Sequence, residues 1–172
     1  ATEHAFRCGA LRSVQTRTET IEQAGIRFLV HVLQNRDEKA DSSLAAAAVT
    51  NVNPFLPHDP DLFVADISST HLCLLNKYNV LPNLLLIVTR QFVDQESLLV
   101  QSDFAALWFG MAHFAEAQVD GFAFYNGGPS AGASQRHKHL QLTPLPFHAD
   151  GLPTPVDAVL AGLAGRPGIA AA

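Results

Sequence analysis

Two imidazoles and an amide occupy every second position near the C-terminal end of the chain: His137, His139 and Gln141, separated by Lys138 and Leu140. Successive side chains of a β-strand point to opposite faces of its sheet. A strand over these residues would therefore align the three polar side chains in one row, which we call the histidine row. Lys138, Leu140 and Leu142 would point the other way, and the two leucines suit a core.

A stretch rich in Gly and Ser, residues 126–135, comes directly before the row, and we call it the glycine loop. Loops of this kind can leave backbone N–H groups free to bind an anion. The unperturbed pKa of His is about 6.5, so much of an ordinary imidazole is neutral and nucleophilic at physiological pH. Loop and row together predict chemistry on a phosphate ester, in which one imidazole forms a phosphoramidate and splits the displacement into two steps.

The other two side chains of the row have complementary uses in such a reaction. The neighbouring imidazole can polarise or protonate the bridging or leaving oxygen. The NH2 group of Gln141 can donate hydrogen bonds to a non-bridging phosphate oxygen, where negative charge develops.

Two simpler interpretations fit parts of the same pattern. Two His on one strand face are also a common metal-binding arrangement. However, no Cys, Asp or Glu lies at a nearby motif spacing, and Gln is a poor zinc ligand, so we assign no metal site. The glycine loop, taken alone, would be an ordinary connector between strands.

The sequence of residues 137–141 resembles the His-x-His-x-Gln motif of the histidine-triad superfamily, in its transferase branch. With residues 126–136 included, the phrase is similar to that of the ATP adenylyltransferases, also called diadenosine tetraphosphate phosphorylases. That family converts diadenosine tetraphosphate and phosphate into ATP and ADP, reversibly, through an adenylylated histidine. The resemblance implies that His139 is the nucleophile and that His137 and Gln141 are supporting phosphate contacts.

The same resemblance implies further substrate contacts. Asn76 and Lys77 lie in a Leu-Asn-Lys-Tyr phrase that contacts the nucleotide in the family, and a compact positive charge suits a polyphosphate. Without that resemblance they would be interpreted as an ordinary hairpin loop. Lys39 is the nearest, loose match to a phosphate-contacting lysine of the family, although on residue type alone a solvated lysine in a turn is the favoured interpretation. The contacts expected in the glycine loop are Asn126, Gly132, Ala133 and Ser134.

Periodicity predicts the strands that must position the row. Residues 25–33 alternate with period two, and residues 70–75 and 84–89 are short and mostly apolar, so each is predicted as a strand. Residues 1–24 are mixed and polar and are expected to wrap the surface. We predict one α+β domain of histidine-triad type over residues 1–150, in which helices pack on an antiparallel sheet that carries the row.

The most periodic segment is a helix for which Ser102 is the expected N-cap. Apolar side chains recur along it at helical spacing. We assign them, including Trp108, to the core. Two other phrases, residues 53–57 and 91–95, resemble family phrases and are given no role here. The first is interpreted as a proline-locked connector.

Composition narrows the class of protein. The chain has 172 residues, of which 48% are hydrophobic and 16% charged, as expected of a globular domain with a sizeable core. Its formal net charge of −5 argues against a nucleic-acid-binding surface. Cys8 and Cys73 form no C-x-x-C pair and fit free thiols in a reducing compartment. Neither a signal peptide nor a membrane span is evident, so we predict a cytoplasmic protein.

The leading functional interpretation is a nucleotidyltransferase that takes diadenosine tetraphosphate, ATP, ADP and phosphate. A dinucleoside polyphosphate hydrolase is an alternative, but the hydrolases of the superfamily carry a third His where this chain has Gln141. Because the family is usually longer, residues 151–172 are interpreted as a truncated or incomplete C-terminal part, which leaves a catalytically impaired nucleotide-binding protein as another alternative. No obligatory cofactor is expected, although Mg2+ can accompany the polyphosphate.

Overall fold

The computed structural model describes residues 1–24, 26–33 and 53–146, together with residues 154 and 157. Lys39 lies outside the described residues, as does almost all of the predicted tail at 151–172. Within the described part, no helix combines the length and the hydrophobicity that a membrane crossing requires.

The main sheet has five antiparallel strands in the order β4-β5-β7-β9-β8. Its strands are β4 (Phe63–Asp66), β5 (His71–Leu75), β7 (Leu85–Thr89), β8 (Gly121–Phe124) and β9 (His139–Pro144). The strands predicted at 70–75 and 84–89 are therefore confirmed as β5 and β7. The α+β class is confirmed as well, with the histidine row on β9 and immediately before it.

Smaller elements surround this sheet. Strands β2 (Thr16–Gln23) and β3 (Ile26–Leu33) form an antiparallel pair, which confirms the strand predicted at 25–33. Strands β1 (Arg12–Ser13) and β6 (Tyr78–Asn79) pair in parallel. Helix α1 (Thr2–Cys8) begins the chain, and a 3-10 helix (Pro60–Leu62) leads into β4. Residues 1–24 thus carry more regular structure than a polar surface segment was expected to have, because backbone pairing with β3 requires no apolar pattern in β2.

The predicted helix is present as α2 (Gln101–Glu116), but its N-cap is Val100 and not Ser102. The carboxylate of Asp103 reaches back and accepts a hydrogen bond from the Val100 N–H at 2.9 Å. That bond satisfies the N–H of the N-cap residue, which is the part of a capping box that the side chain at the third helical position supplies.

The core assignment of Trp108 is wrong: its side chain is 75% exposed, and that of Phe104 is 57% exposed. The side of helix α2 that faces the sheet carries Ala106, which is buried, and Leu107, which packs beside it, and Gly110 lies against β9. A Cβ at Gly110 would lie 2.5 Å from Cδ2 of Leu142 on β9. Small side chains therefore select the packed face, because they let the helix lie directly on the strand.

The two faces of the sheet carry different side chains. Beneath α2 lie Cys73, Ile87 and Leu140. On the opposite face, Phe55 packs on a layer of strand side chains that consists of Leu72, Leu74, Leu86 and Val88. The ring of Phe55 also lies 5.5 Å from that of His137 and 5.4 Å from that of His139, measured between centroids. The alternation predicted for the row is thereby confirmed: the imidazoles share the Phe55 face, and Leu140 lies under α2.

Lys138, between the two imidazoles, is buried under α2 with 2% of its surface exposed. Its Nζ donates to Oδ2 of Asp103 at 2.6 Å and to the Leu98 carbonyl at 2.8 Å. The other carboxylate oxygen of Asp103 accepts from Nε2 of His71 at 3.0 Å. Burial alone would raise the pKa of Asp103, but the hydrogen bonds from Lys138, the Val100 N–H and His71 outweigh it and hold that pKa below its usual value.

Candidate active site

The ring of His139 is buried, with 6% of the residue exposed, and is held in one orientation. Its Nδ1 lies 2.8 Å from the carbonyl oxygen of His137. Because a carbonyl only accepts, Nδ1 must carry the proton and donate it. Nε2 is then the nitrogen with the free lone pair, and it has no hydrogen-bond partner among the residues that the structure describes. Burial lowers the pKa of His139, so the neutral and nucleophilic form persists at neutral pH.

His137 uses both ring nitrogens inside the protein and is 2% exposed. Its Nε2 donates to the Thr89 carbonyl at 2.8 Å. Its Nδ1 then accepts from Nδ2 of Asn53 at 2.9 Å, an orientation fixed because Oδ1 of Asn53 accepts from the Phe55 N–H at 3.0 Å. Burial lowers the pKa of His137 as well, so the structure presents a neutral ring that contacts protein groups at both nitrogens.

Gln141 and Asn126 come from two neighbouring strands of the site: Gln141 lies on β9, two residues after the nucleophile, and Asn126 lies just past the end of β8. Gln141 is half-buried on the Phe55 face, opposite Phe124 of β8 in the register. Asn126 follows two residues after Phe124, where the glycine loop begins. A Cβ at Gly132 would lie 3.8 Å from Nδ2 of Asn126, so this amide faces across the loop.

The glycine loop offers fewer free N–H groups than its sequence predicted. Pro129 begins a 3-10 helix, Pro129–Ala131. The Gly132 N–H donates to the Pro129 carbonyl at 2.9 Å, and the Ala133 N–H donates to the Gly128 carbonyl at 3.1 Å. These two N–H groups therefore stabilise the turn and are not available to an anion. The N–H of Ser134 has no acceptor within the described ranges.

Asn76 and Lys77 are not brought next to the nucleophile. They follow β5, where Leu75 is level with Leu85 and, through it, with Leu142 of β9. Asn76 is thus level with the residue four positions after His139, about 13 Å along the strand direction and two strands away. Lys77 is exposed. A contact from both positions at once requires a long ligand.

The potential metal-ligating side chains that the structure describes gather away from the row. In the part of the chain that the structure describes, the one group of three that could hold an ion is His4, Cys8 and Asp61. Ordinary hydrogen bonds account for that group: Nε2 of His4 lies 2.7 Å from a carboxylate oxygen of Asp61, and the Cys8 thiol donates to the Ala5 carbonyl at 3.5 Å.

Several side chains that build the site were not identified from the sequence. Asn53 orients His137, Phe55 packs on both imidazoles, and Gln95 makes hydrogen bonds with the backbone of His139. The only signals were the family-like phrases at 53–57 and 91–95. Neither phrase shows a spacing that suggests chemistry, and their contacts with the row join positions far apart in the chain.

The buried imidazoles should make the domain less stable in mild acid. Burial lowers the pKa of His71, His137 and His139, whereas unfolding returns each to about 6.5. Below pH 6.5, and down to the lowered values, the unfolded chain binds more protons than the folded chain, so the free energy of unfolding falls as the pH falls. Each unit of pKa difference contributes about 1.4 kcal/mol.

Urea unfolding at pH 7 and at pH 5 measures this effect, and we expect a lower midpoint at pH 5. A His139→Asn variant lacks one of the three groups and should show a shallower dependence on pH. A midpoint at pH 5 equal to or above that at pH 7 would contradict the burial of neutral imidazoles.

Comparison with known proteins shows what the chain resembles. A family model described as the Ap4A phosphorylase N-terminal domain, where Ap4A is diadenosine tetraphosphate, matches residues 1–162. The curated protein diadenosine 5',5'''-P1,P4-tetraphosphate phosphorylase 2 of Saccharomyces cerevisiae is 33% identical over 122 residues, which are 66% of this chain and 34% of the relative.

Two crystal structures of the yeast Ap4A phosphorylase Apa2 have the same fold over most of this chain. The complex with Ap4A has a TM-score of 0.71 at 26% identity and covers 98% of this chain and 54% of that one. The complex with AMP has a TM-score of 0.67 at 26% identity and covers 84% and 48%. This chain thus spans between about a third and about half of the length of these relatives.

Proposed function

The chain belongs to the family of Ap4A phosphorylase N-terminal domains, and on that premise we propose that it provides the nucleophile of an enzyme that phosphorolyses diadenosine tetraphosphate to ATP and ADP. The observation that supports this most directly is the state of the His139 ring. Its Nδ1 is committed to the His137 carbonyl, and its neutral Nε2 is left without a partner in the described structure. That is the arrangement an imidazole needs in order to attack phosphorus.

In the first step, Nε2 of His139 attacks the α-phosphorus of diadenosine tetraphosphate. A phosphorus–nitrogen bond forms, the bond to the bridging oxygen breaks, and ATP leaves. The Nδ1 proton remains on the ring throughout. The His137 carbonyl that accepts it, 2.8 Å away, stabilises the positive charge of the adenylylated ring.

In the second step, an oxygen of inorganic phosphate attacks the same phosphorus, and the phosphorus–nitrogen bond breaks. ADP leaves and neutral His139 is restored, so both steps can run in reverse. Gln141 donates to a non-bridging oxygen. It can do so because it is only half-buried and lies on the Phe55 face, the same face as His139. His139 itself supplies the nucleophile, and any Mg2+ would arrive with the polyphosphate and not as a resident metal.

The other substrate contacts predicted from the sequence remain part of this proposal, but the hydrogen bonds of the glycine loop change how two of them act. Ser134 contributes a backbone N–H to phosphate, whereas Gly132 and Ala133 shape the turn that presents it. Asn126 contacts the reacting nucleotide from the start of the loop. The other contacts, which serve the distal part of the substrate, are Asn76, Lys77 and Lys39.

His137 acts in this scheme by positioning the nucleophile through its carbonyl. A direct contact between its ring and phosphate would require a nitrogen to give up Thr89 or Asn53. We place the protein in the cytoplasm, a proposal supported by its two free cysteines, Cys8 and Cys73.

Two alternatives remain distinguishable by their products. A hydrolase would pass the adenylyl group to water and release AMP, and it would not need phosphate. A protein that only binds nucleotides would retain ATP without turnover.

Intact-mass spectrometry after incubation with diadenosine tetraphosphate, without phosphate, tests the proposal. We expect the mass of one adenylyl group to be added, to be removed by acid, and to map to His139. Added phosphate should discharge the adduct as ADP. Release of AMP that does not depend on phosphate would favour the hydrolase, and nucleotide binding without an adduct would overturn the proposal.

A further inference from the structure

Strand β8 leaves the sheet directly beside the nucleophile. The register of β8 and β9 pairs Ala123 with Leu142 and Phe124 with Gln141, and β8 ends there. Two residues further on, the same register would place Asn126 opposite His139. The chain instead departs into the glycine loop, so the N–H and C=O groups of His139 lose a strand neighbour on that side.

The side-chain amide of Gln95 lies in the position of that missing neighbour. Its Oε1 accepts from the His139 N–H at 2.8 Å, and its Nε2 donates to the His139 carbonyl at 3.0 Å. The same Nε2 donates to the Asn126 carbonyl at 2.8 Å. A carboxamide offers two N–H donors and an acceptor oxygen, so these hydrogen bonds use both donors and the acceptor.

The backbone around Gln95 is held against the residues before β9. The Gln95 N–H donates to the Arg136 carbonyl at 2.8 Å, and the Lys138 N–H donates to the Val93 carbonyl at 2.8 Å. The hydroxyl of Tyr125 donates to the Gln95 carbonyl. With 2% of its surface exposed, Gln95 has no water to replace these partners, so its amide is fixed in place.

We propose that Gln95 is a positioning residue for His139: its side-chain amide takes the place of the next peptide group of β8. The glycine loop can then leave the sheet at the level of the nucleophile while the backbone of His139 remains hydrogen-bonded on that edge. The bond to Asn126 fixes the point of departure. This inference rests on the proposed role of His139, and Gln95 itself touches neither substrate nor reacting atoms.

The chemistry of the amide explains why similar side chains would not serve. Glu has the same shape but, when ionised, only accepts, so it would repel the carbonyl groups of His139 and Asn126. Asn is one methylene shorter and could not reach both. Leu has nearly the same volume but would leave the N–H and C=O of His139 without their partners, whereas the Asn126 carbonyl would keep the Gly128 N–H.

A Gln95→Glu variant separates positioning from binding. Under single-turnover conditions with saturating diadenosine tetraphosphate, we expect adenylylation to slow by about 100-fold, the effect of a small misplacement of a reacting group. The apparent KM should change by no more than a few-fold, because no substrate contact is removed. Gln101→Glu makes the same chemical change at an exposed position of α2 and should behave as the wild type.

Hydrogen exchange at the His139 amide gives a readout that needs no activity. A Gln95→Leu variant removes the acceptor, and we expect that amide to exchange at least about 10-fold faster, while amides in the centre of β7 remain protected.

A wild-type adenylylation rate in Gln95→Glu, or a loss explained entirely by its unfolded fraction in circular dichroism, would overturn the inference. Unchanged exchange in Gln95→Leu would overturn it too. If the wild-type protein forms no adduct but exchange responds as expected, the arrangement of Gln95 stands and the proposed function fails.

Discussion

Replacing His139 with alanine should abolish the adenylyl-protein adduct and lower phosphorolysis by at least about four orders of magnitude. The reason is chemical and not structural. Nε2 of His139 is the only neutral imidazole nitrogen of the row without a hydrogen-bond partner in the described structure, because both nitrogens of His137 contact protein groups. Within the part of the chain that the structure describes, no other imidazole of the row is free to take over the attack.

Single-turnover mass spectrometry, together with assay of ATP release, measures this loss. His113→Ala is the matched control, since His113 is exposed on α2, and its ring nitrogen and ring face contact Phe109 of the same helix. That variant should retain the adduct. Persistent labelling of the His139→Ala protein would show that another group is the nucleophile, and wild-type nucleotide binding in the same variant would show that its fold is intact.

Replacing Lys138 with methionine should lower the free energy of unfolding by about 3–5 kcal/mol. Methionine retains most of the apolar length of the lysine side chain, but Asp103 loses the cation that lies 2.6 Å from its Oδ2. Asp103 and Lys138 are each 2% exposed, so water cannot replace the lost partner. The remaining donors, His71 and the Val100 N–H, do not neutralise a full negative charge.

Urea denaturation compares this variant with Arg136→Met, which removes a cation two residues earlier. Arg136 pairs with Asp94 at 3.0 Å, but its side chain is 78% exposed, and exposed ion pairs contribute little, so its midpoint should hardly change. Adding Asp103→Asn to Lys138→Met should recover part of the loss, because the uncompensated charge is then gone. If Lys138→Met and Arg136→Met lost the same stability, the buried ion pair of Lys138 and Asp103 would contribute no more than an exposed ion pair.

The sequence was informative where a local rule governs the structure. Strand periodicity placed His137 and His139 on one face and Leu140 on the other, because alternation depends only on neighbouring residues. The composition of the glycine loop predicted more free N–H groups than the structure has. The hydrogen bonds that occupy the N–H groups of Gly132 and Ala133 depend on a 3-10 turn, which composition does not indicate.

Contacts between distant segments were beyond the reach of sequence reasoning. Asn53 reaches His137 across 84 positions, and Gln95 reaches His139 across 44. Neither side chain has a type that announces its role. The exposure of Trp108 was missed for a related reason, because the approach of Gly110 to Leu142 sets the phase of α2, and hydrophobicity alone points to a different face.

The buried charge of Lys138 also has a consequence for folding fidelity. A shift of β9 by one residue would exchange its two faces, placing His139 beneath α2 and Lys138 among the apolar side chains around Phe55. Asp103 would then lose its cation, and an ammonium group would meet the apolar side chains that pack around Phe55. Electrostatics thus destabilises misregistered forms, so the ion pair of Lys138 and Asp103 favours the native orientation of His139 before any substrate is present.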